Sequence, residues 1–162
     1  KTVALSVPKI KYFGNASLQE GYIPLSQDRL FYYQRLSNAK EKKDLSIVKK
    51  EIKDRFGVPG LGAKNLYKIT ALRLAYTNTV VNKIFVEKDR AVLSLTEGAP
   101  KKTNELDIEK LMKALESARI KYVFKQKNKD FFGLELICGA SEEPLKMLIQ
   151  HAEIFYYNNN NT

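Results

Sequence analysis

One cysteine, one histidine and no tryptophan stand among 162 residues. A lone Cys138 permits no internal disulfide, which fits a reducing compartment. Cys138 and His151, far apart in the chain, cannot supply a zinc site. No Ser, His and Asp order suggests a nucleophilic triad. The glycine-bearing stretch Val58-Pro59-Gly60-Leu61-Gly62 reads as a turn: neither G-x-x-x-x-G-K-[ST] nor G-x-G-x-x-G is present. The expectation is a chain with no catalytic site, no cofactor and no metal. No apolar run approaches the roughly 20 residues that span a bilayer, and no secretory signal opens the sequence. Asn15-Ala16-Ser17 and Asn160-Asn161-Thr162 match the glycosylation pattern and are read as chance. A chain that begins on Lys1 rather than Met is expected to be a piece of a longer one.

Acidic residues are also scarce. Eighteen Asp and Glu face 28 Lys and Arg, a net charge of +10. Such an excess suggests an anionic partner, usually nucleic acid. The lysines are dispersed, however, and no segment joins a lysine cluster to aromatics in a nucleic-acid motif. Dispersed lysine also serves solubility. With 44% hydrophobic residues and 10% aromatics, the composition is that of a folded domain with a real core.

Along the chain, residues 2–13 alternate loosely and are broken by Pro8, which predicts an edge strand. Tyr22-Ile23-Pro24 is extended, because a residue before proline avoids the helical region. Ser26 is the expected N-cap of a helix over 26–40 with Tyr32, Tyr33, Leu36 and Ala39 inward. A short polar connection makes this helix a hairpin with the next one, over 44–56. A third helix, 63–78, is apolar over most of its circumference, hence buried. The period then changes to two. Ile84, Phe85, Val86 and Val92, Leu93, Leu95 predict one β-hairpin. After a polar loop over 97–104, a helix spans 107–117 with Leu106, Leu111, Met112 and Leu115 inward. A second hairpin spans 121–138 around Lys127 to Asp130. Ser141 is the expected cap of a last helix carrying Leu145, Leu148, Ile149, Ala152 and Phe155. The fold class is α+β: an N-terminal extended arm and helical hairpin, then an antiparallel sheet of two β-hairpins packed with helices.

The stretch DLSIVKKEIKDRFG, 44–57, is the most informative. Leu45, Val48, Ile52 and Phe56 line one face at helical spacing, and Gly57 stops the helix in a left-handed conformation. On the far side Ile47, Glu51 and Asp54 lie together. Two readings compete. One is a solvated face whose carboxylates pair locally, Glu51 with Arg55 and Asp54 with Lys50. The other is a surface for a partner.

The segment Tyr22-Ile23-Pro24, then Arg29-Leu30, Tyr33 and Arg35-Leu36, then Glu51-Ile52-Lys53-Asp54-Arg55-Phe56-Gly57 and Ile69-Thr70-Ala71-Leu72-Arg73-Leu74 resembles the C-terminal domain of the bacterial transcription-repair coupling factor. The order of elements downstream resembles it too. Val58-Pro59-Gly60-Leu61 departs from the family's Pro-Leu-Pro. The resemblance implies a cytoplasmic DNA-repair protein that, whole, is an ATP-driven, helicase-like DNA translocase displacing stalled RNA polymerase. The chain is expected to comprise an arm, 1–25, a C-terminal domain of that family, 26–157, and a disordered polar tail, 158–162. That domain would be a non-catalytic, autoinhibitory clamp on the UvrB-like N-terminal domain of the same chain, masking its UvrA-binding surface. RNA polymerase and UvrA would be indirect partners, with no membrane involved. The family's two acidic clamp residues map onto Glu51 and Asp54, and Ile47, on the same face by periodicity, would pack between the partner's arginines. The alternative is a basic nucleic-acid-binding accessory domain of a DNA translocase, touching DNA directly.

Overall fold

A computed structural model describes residues 6–95, 108–128 and 131–156, without the side chains of 126–128 and 131–132. The expected loop over 97–104, Leu106, the tip of the second hairpin and the tail fall outside the described residues. The chain divides into two compact units: Gly14–Leu74, and the described parts of Lys1–Phe13 with Ala75–Thr162.

The first unit is helical. α1 (Ser26–Asn38), α2 (Lys42–Phe56) and α3 (Leu61–Tyr76) are its elements, α3 ending two residues beyond it. Its core gathers the predicted stripes: Tyr32 and Leu36 of α1, Leu45, Val48 and Ile52 of α2, Ala63 and Tyr67 of α3, with Leu18 and Ile23 from the preceding loop. The residues that carry the family resemblance brace this unit. Arg29 donates to the carbonyls of Ile23 (2.7 Å) and Pro24 (2.8 Å), fixing the entry into α1. Tyr22 donates its hydroxyl hydrogen to the Gly57 carbonyl at 2.8 Å. Tyr33 accepts from the Leu18 amide at 2.7 Å. Arg73 donates to the carbonyls of Leu36 (2.9 Å) and Ala39 (3.0 Å) at the end of α1, the first of which also accepts from the Ala39 amide at 3.3 Å.

Several boundaries differ from expectation. Ser26 is not the N-cap. Leu25, with extended backbone, takes that place without a side-chain cap. The second helix begins two residues early, because Glu41 and Asp44 form a capping box. The Asp44 carboxylate accepts from the amides of Lys40 (2.9 Å) and Glu41 (3.1 Å), and these bonds lower its pKa. Gly57 does end α2, with its amide donating to the Lys53 carbonyl at 2.9 Å. Its φ of 84° is positive as expected, but ψ of −160° opens the chain fully instead of curling it. Gly62 lies in the first turn of α3, where a Cβ would meet the Ser17 carbonyl oxygen at 2.9 Å.

The second unit is a five-stranded sheet in the order β1-β2-β3-β5-β4. The strands are β1 (Lys9–Tyr12), β2 (Val81–Val86), β3 (Arg90–Leu95), β4 (Lys121–Asn128) and β5 (Phe131–Ile137). The two antiparallel hairpins are as predicted, and β3 joins them by pairing with β5. The sheet is not wholly antiparallel: β1 lies parallel to β2 at the edge, placing part of the N-terminal segment inside the fold. Ile84, Leu93, Leu134 and Leu136 of one face are fully buried. So are Leu115 of α4 (Ile108–Ser117) and Leu145 of α5 (Pro144–Gln150). Cys138, just past β5, is buried with its sulfur 3.7 Å from that of Met147. Ser141 does not cap α5. Glu143, extended because Pro144 follows it, is the N-cap. The expected single last helix breaks at His151, and Ala152–Phe155 continues as a 3-10 turn.

Candidate functional site: the outer face of α2

The helical repeat of α2 turns Leu45, Val48 and Ile52 inward and leaves the opposite side in solvent. Ile47 is 49% exposed, one of several large apolar side chains left in solvent, Leu30, Val58 and Leu61 among them. Asp54 is exposed and paired at 2.7 Å with Lys50, one helical turn back. That local pair is as the sequence suggests.

Glu51 behaves otherwise. It does not pair with Arg55. One carboxylate oxygen accepts from Arg35 of α1, the other from the Tyr32 hydroxyl at 3.0 Å. Arg55 turns away, donating to the same hydroxyl at 2.9 Å and lying 3.5 Å from Asp28. Tyr32, buried to its ring, thus relays between Arg55 and Glu51 across the helical hairpin. The hydrogen bond from Arg35 is the main cause that lowers the Glu51 pKa, aided by that from Tyr32. Arg35 also lies 5.6 Å from the centre of the half-exposed Phe31 ring, a cation–π contact. Beside Ile47 a shallow depression of about 310 Å³ opens between Arg35, Asn38, Lys40 and Asp44.

The three predicted residues therefore share one face with unequal roles. Ile47 and Asp54 point outward, while Glu51 is engaged by α1. The partners Arg35 and Tyr32 were missed as members of the site. The short connection signalled only that α1 and α2 pack side by side; Arg35 lies three residues from the end of α1 and Glu51 nine from the start of α2, so counting outward from the turn does not pair them. Among the described residues there is no cluster of His, Cys, Asp and Glu fit for a metal ion. Among them, too, no helix is long and apolar enough to cross a membrane.

The architecture matches a solved one. The crystal structure of the C-terminal domain of a transcription-repair coupling factor superposes with a TM-score of 0.75 at 14% identity, covering 96% of this chain and 93% of that one. At that identity the likeness is one of fold. No curated protein matches the chain. The sequence pattern of the TRCF domain, however, matches residues 14–106, more than half of the chain and all of the helical unit. The chain belongs to the TRCF domain family.

Proposed function

We propose that this domain is a non-catalytic regulatory clamp, docking through the outer face of α2 on a UvrB-like N-terminal domain of its own protein and masking the surface that UvrA would bind. The observation that supports this is the exposed Ile47 beside an outward Asp54, on a helix anchored from behind by three core residues. An apolar side chain ringed by polar groups on a rigid element is the makeup of a docking surface. Glu51 then serves twice. It ties α2 to α1, and its negative charge adds to that of Asp54 for a basic partner.

Magnitudes make the clamp switchable. Two surfaces of one chain meet at an effective concentration on the order of 1 mM. If they bind at about 1 μM when separate, the closed state is favoured about 1,000-fold, or about 4 kcal/mol. Losing one desolvated charge contact costs about 2–5 kcal/mol, so two changes on the face suffice to open it.

The test mixes this chain with the isolated UvrB-like domain. Ile47→Ala and Asp54→Lys are expected to weaken binding at least tenfold each by titration calorimetry. Unchanged affinity for both, with circular dichroism showing folded variants, would remove this face from the interface. The chain is also expected to show no ATPase turnover with or without DNA. Turnover that follows the chain through repurification contradicts a non-catalytic role.

A further inference from the structure

The sheet has a second face, and strand alternation determines what it carries. Reading across the strands in register, one row is Lys9, Lys83, Ser94, Gly133 and Lys125. The next is Lys11, Phe85, Val92, Glu135 and Val123. The last is Arg90, Ile137 and Lys121. The lysines of these rows, with Val123 and Ile137, are exposed. Phe85 and Val92 in the middle are half-buried. The five strands span about 19 Å, at about 4.8 Å per strand.

The buried Glu135 in the middle row is already neutralised. Lys125 approaches it at 2.6 Å and Arg90 at 2.7 Å, and the hydrogen bond from Lys125 is the chief cause of its lowered pKa. Arg90 is further occupied by Asp89 and Glu87. Among the described residues no carboxylate pairs with Lys9, Lys11, Lys83 or Lys121. Lys11 lies over the Phe85 ring, 5.7 Å from its centre. Lys9 and Lys83 are register partners, two cations side by side on adjacent strands. Like charges placed so are destabilising, and an anion between them would relieve the repulsion.

We propose that this face binds single-stranded nucleic acid, with phosphates along the lysine-bearing edges and bases against the central strip of Phe85, Val92 and Ile137. The pattern is a sheet face with an aromatic-bearing middle, where Glu135 is neutralised, and cationic margins. Splayed bases and a flexible backbone fit it; a duplex hides its bases, and an acidic peptide has no use for the central ring. The proposal is independent of the α2 clamp and uses the other unit.

The experiment titrates this 162-residue chain against a fluorescent 20-nucleotide single strand, a duplex of equal length and poly-glutamate, at several salt concentrations. The expected result is single-strand binding whose log K falls with log salt at about −0.7 per phosphate contacted. Lys9→Ala with Lys83→Ala removes two contacts. That double variant is expected to bind on the order of 60-fold more weakly at 50 mM salt. Its melting temperature is expected to stay level or rise, because the like-charge pair is gone. Phe85→Ala is expected to lose about fivefold or more for the single strand. If it unfolds, Lys121→Ala at the far edge carries the test, with about an eightfold loss. Lys49→Ala with Lys53→Ala on the helical unit should leave binding unchanged. The proposal is overturned by no salt-dependent binding, by a duplex or poly-glutamate binding as tightly, or by the helical variant losing as much as the sheet variant.

Discussion

The two units of this chain are built on opposite principles. The helical unit is one unbroken segment, Gly14–Leu74, and the contacts that brace it, Tyr22 to Gly57 and Arg73 to Leu36 among them, lie within that segment. The sheet unit is discontinuous: β1 comes before the helical unit and its partner β2 after it, with Lys9 paired to Lys83. What the molecule presents to its surroundings differs accordingly. The face of α2 is a property of one helix, readable from a 15-residue window. The cationic sheet face exists only once five strands are in register. The difference teaches that a surface assembled from strands has to be sought in the register, because its residues are scattered through the sequence.

The largest expected effect concerns how the helical unit is held. Tyr32→Ala removes a fully buried ring and a hydroxyl that serves both Glu51 and Arg55. Urea denaturation should show a loss of about 3–5 kcal/mol. Tyr32→Phe keeps the ring and should cost only about 1 kcal/mol. Equal losses would mean that the polar relay, and not packing, holds α1 to α2.

Hydrogen exchange sharpens the comparison next. β5 is flanked by β3 and β4, so its inner amides should exchange more slowly than those of the α1–α2 hairpin. A hairpin slower than β5 would reverse the ranking of the units.

Acid gives the smallest contrast. Glu51 and Glu135 both have pKa values below the ordinary 4.5, the first through Arg35 and the second through Lys125. A depressed carboxylate contributes stability that is present above its unfolded pKa and is lost as pH falls through its folded one. Both contributions should therefore fade below about pH 4.5. Glu135 keeps 7% of its side chain exposed and Glu51 38%, so solvent screens the second more. Glu135→Gln should flatten the acid limb of a denaturation-against-pH curve more than Glu51→Gln does. The reverse order would place the more strongly coupled ion pair on the helices.

Much of this fold was legible in the sequence, for local reasons. The α2 stripe of Leu45, Val48 and Ile52, both hairpins and the burial of Leu72 and Tyr76 in α3 follow from periodicity. Three things were not. The caps moved: Glu143 is held extended by the proline that follows it, and the extended backbone of Leu25 starts α1 at Ser26, so neither Ser26 nor Ser141 caps. The place of β1 beside β2 depends on a pairing across more than 70 residues, which no window contains. Glu51 paired with Arg35 over Arg55, because the hairpin brings a second helix as close as the next turn. At the candidate site, periodicity alone put Ile47, Glu51 and Asp54 on one face. It carried no information that Glu51 was already engaged.

The central claim is that α2 acts through its outer face on a surface that UvrA also uses. The most direct measurement is UvrA capture by the full-length protein, comparing wild type, Ile47→Ala, Asp54→Lys, Glu51→Lys with Asp54→Lys, and the sheet variant Lys9→Ala with Lys83→Ala. Circular dichroism and melting establish first that each is folded, since reversing Glu51 also sets two cations, Arg35 and the new lysine, against each other. The account predicts that capture rises modestly for the single variants and strongly for the double reversal, while the sheet variant stays at the wild-type level. A folded double reversal that captures no more UvrA than wild type would contradict it, and would leave Ile47, Glu51 and Asp54 as a solvated helix face.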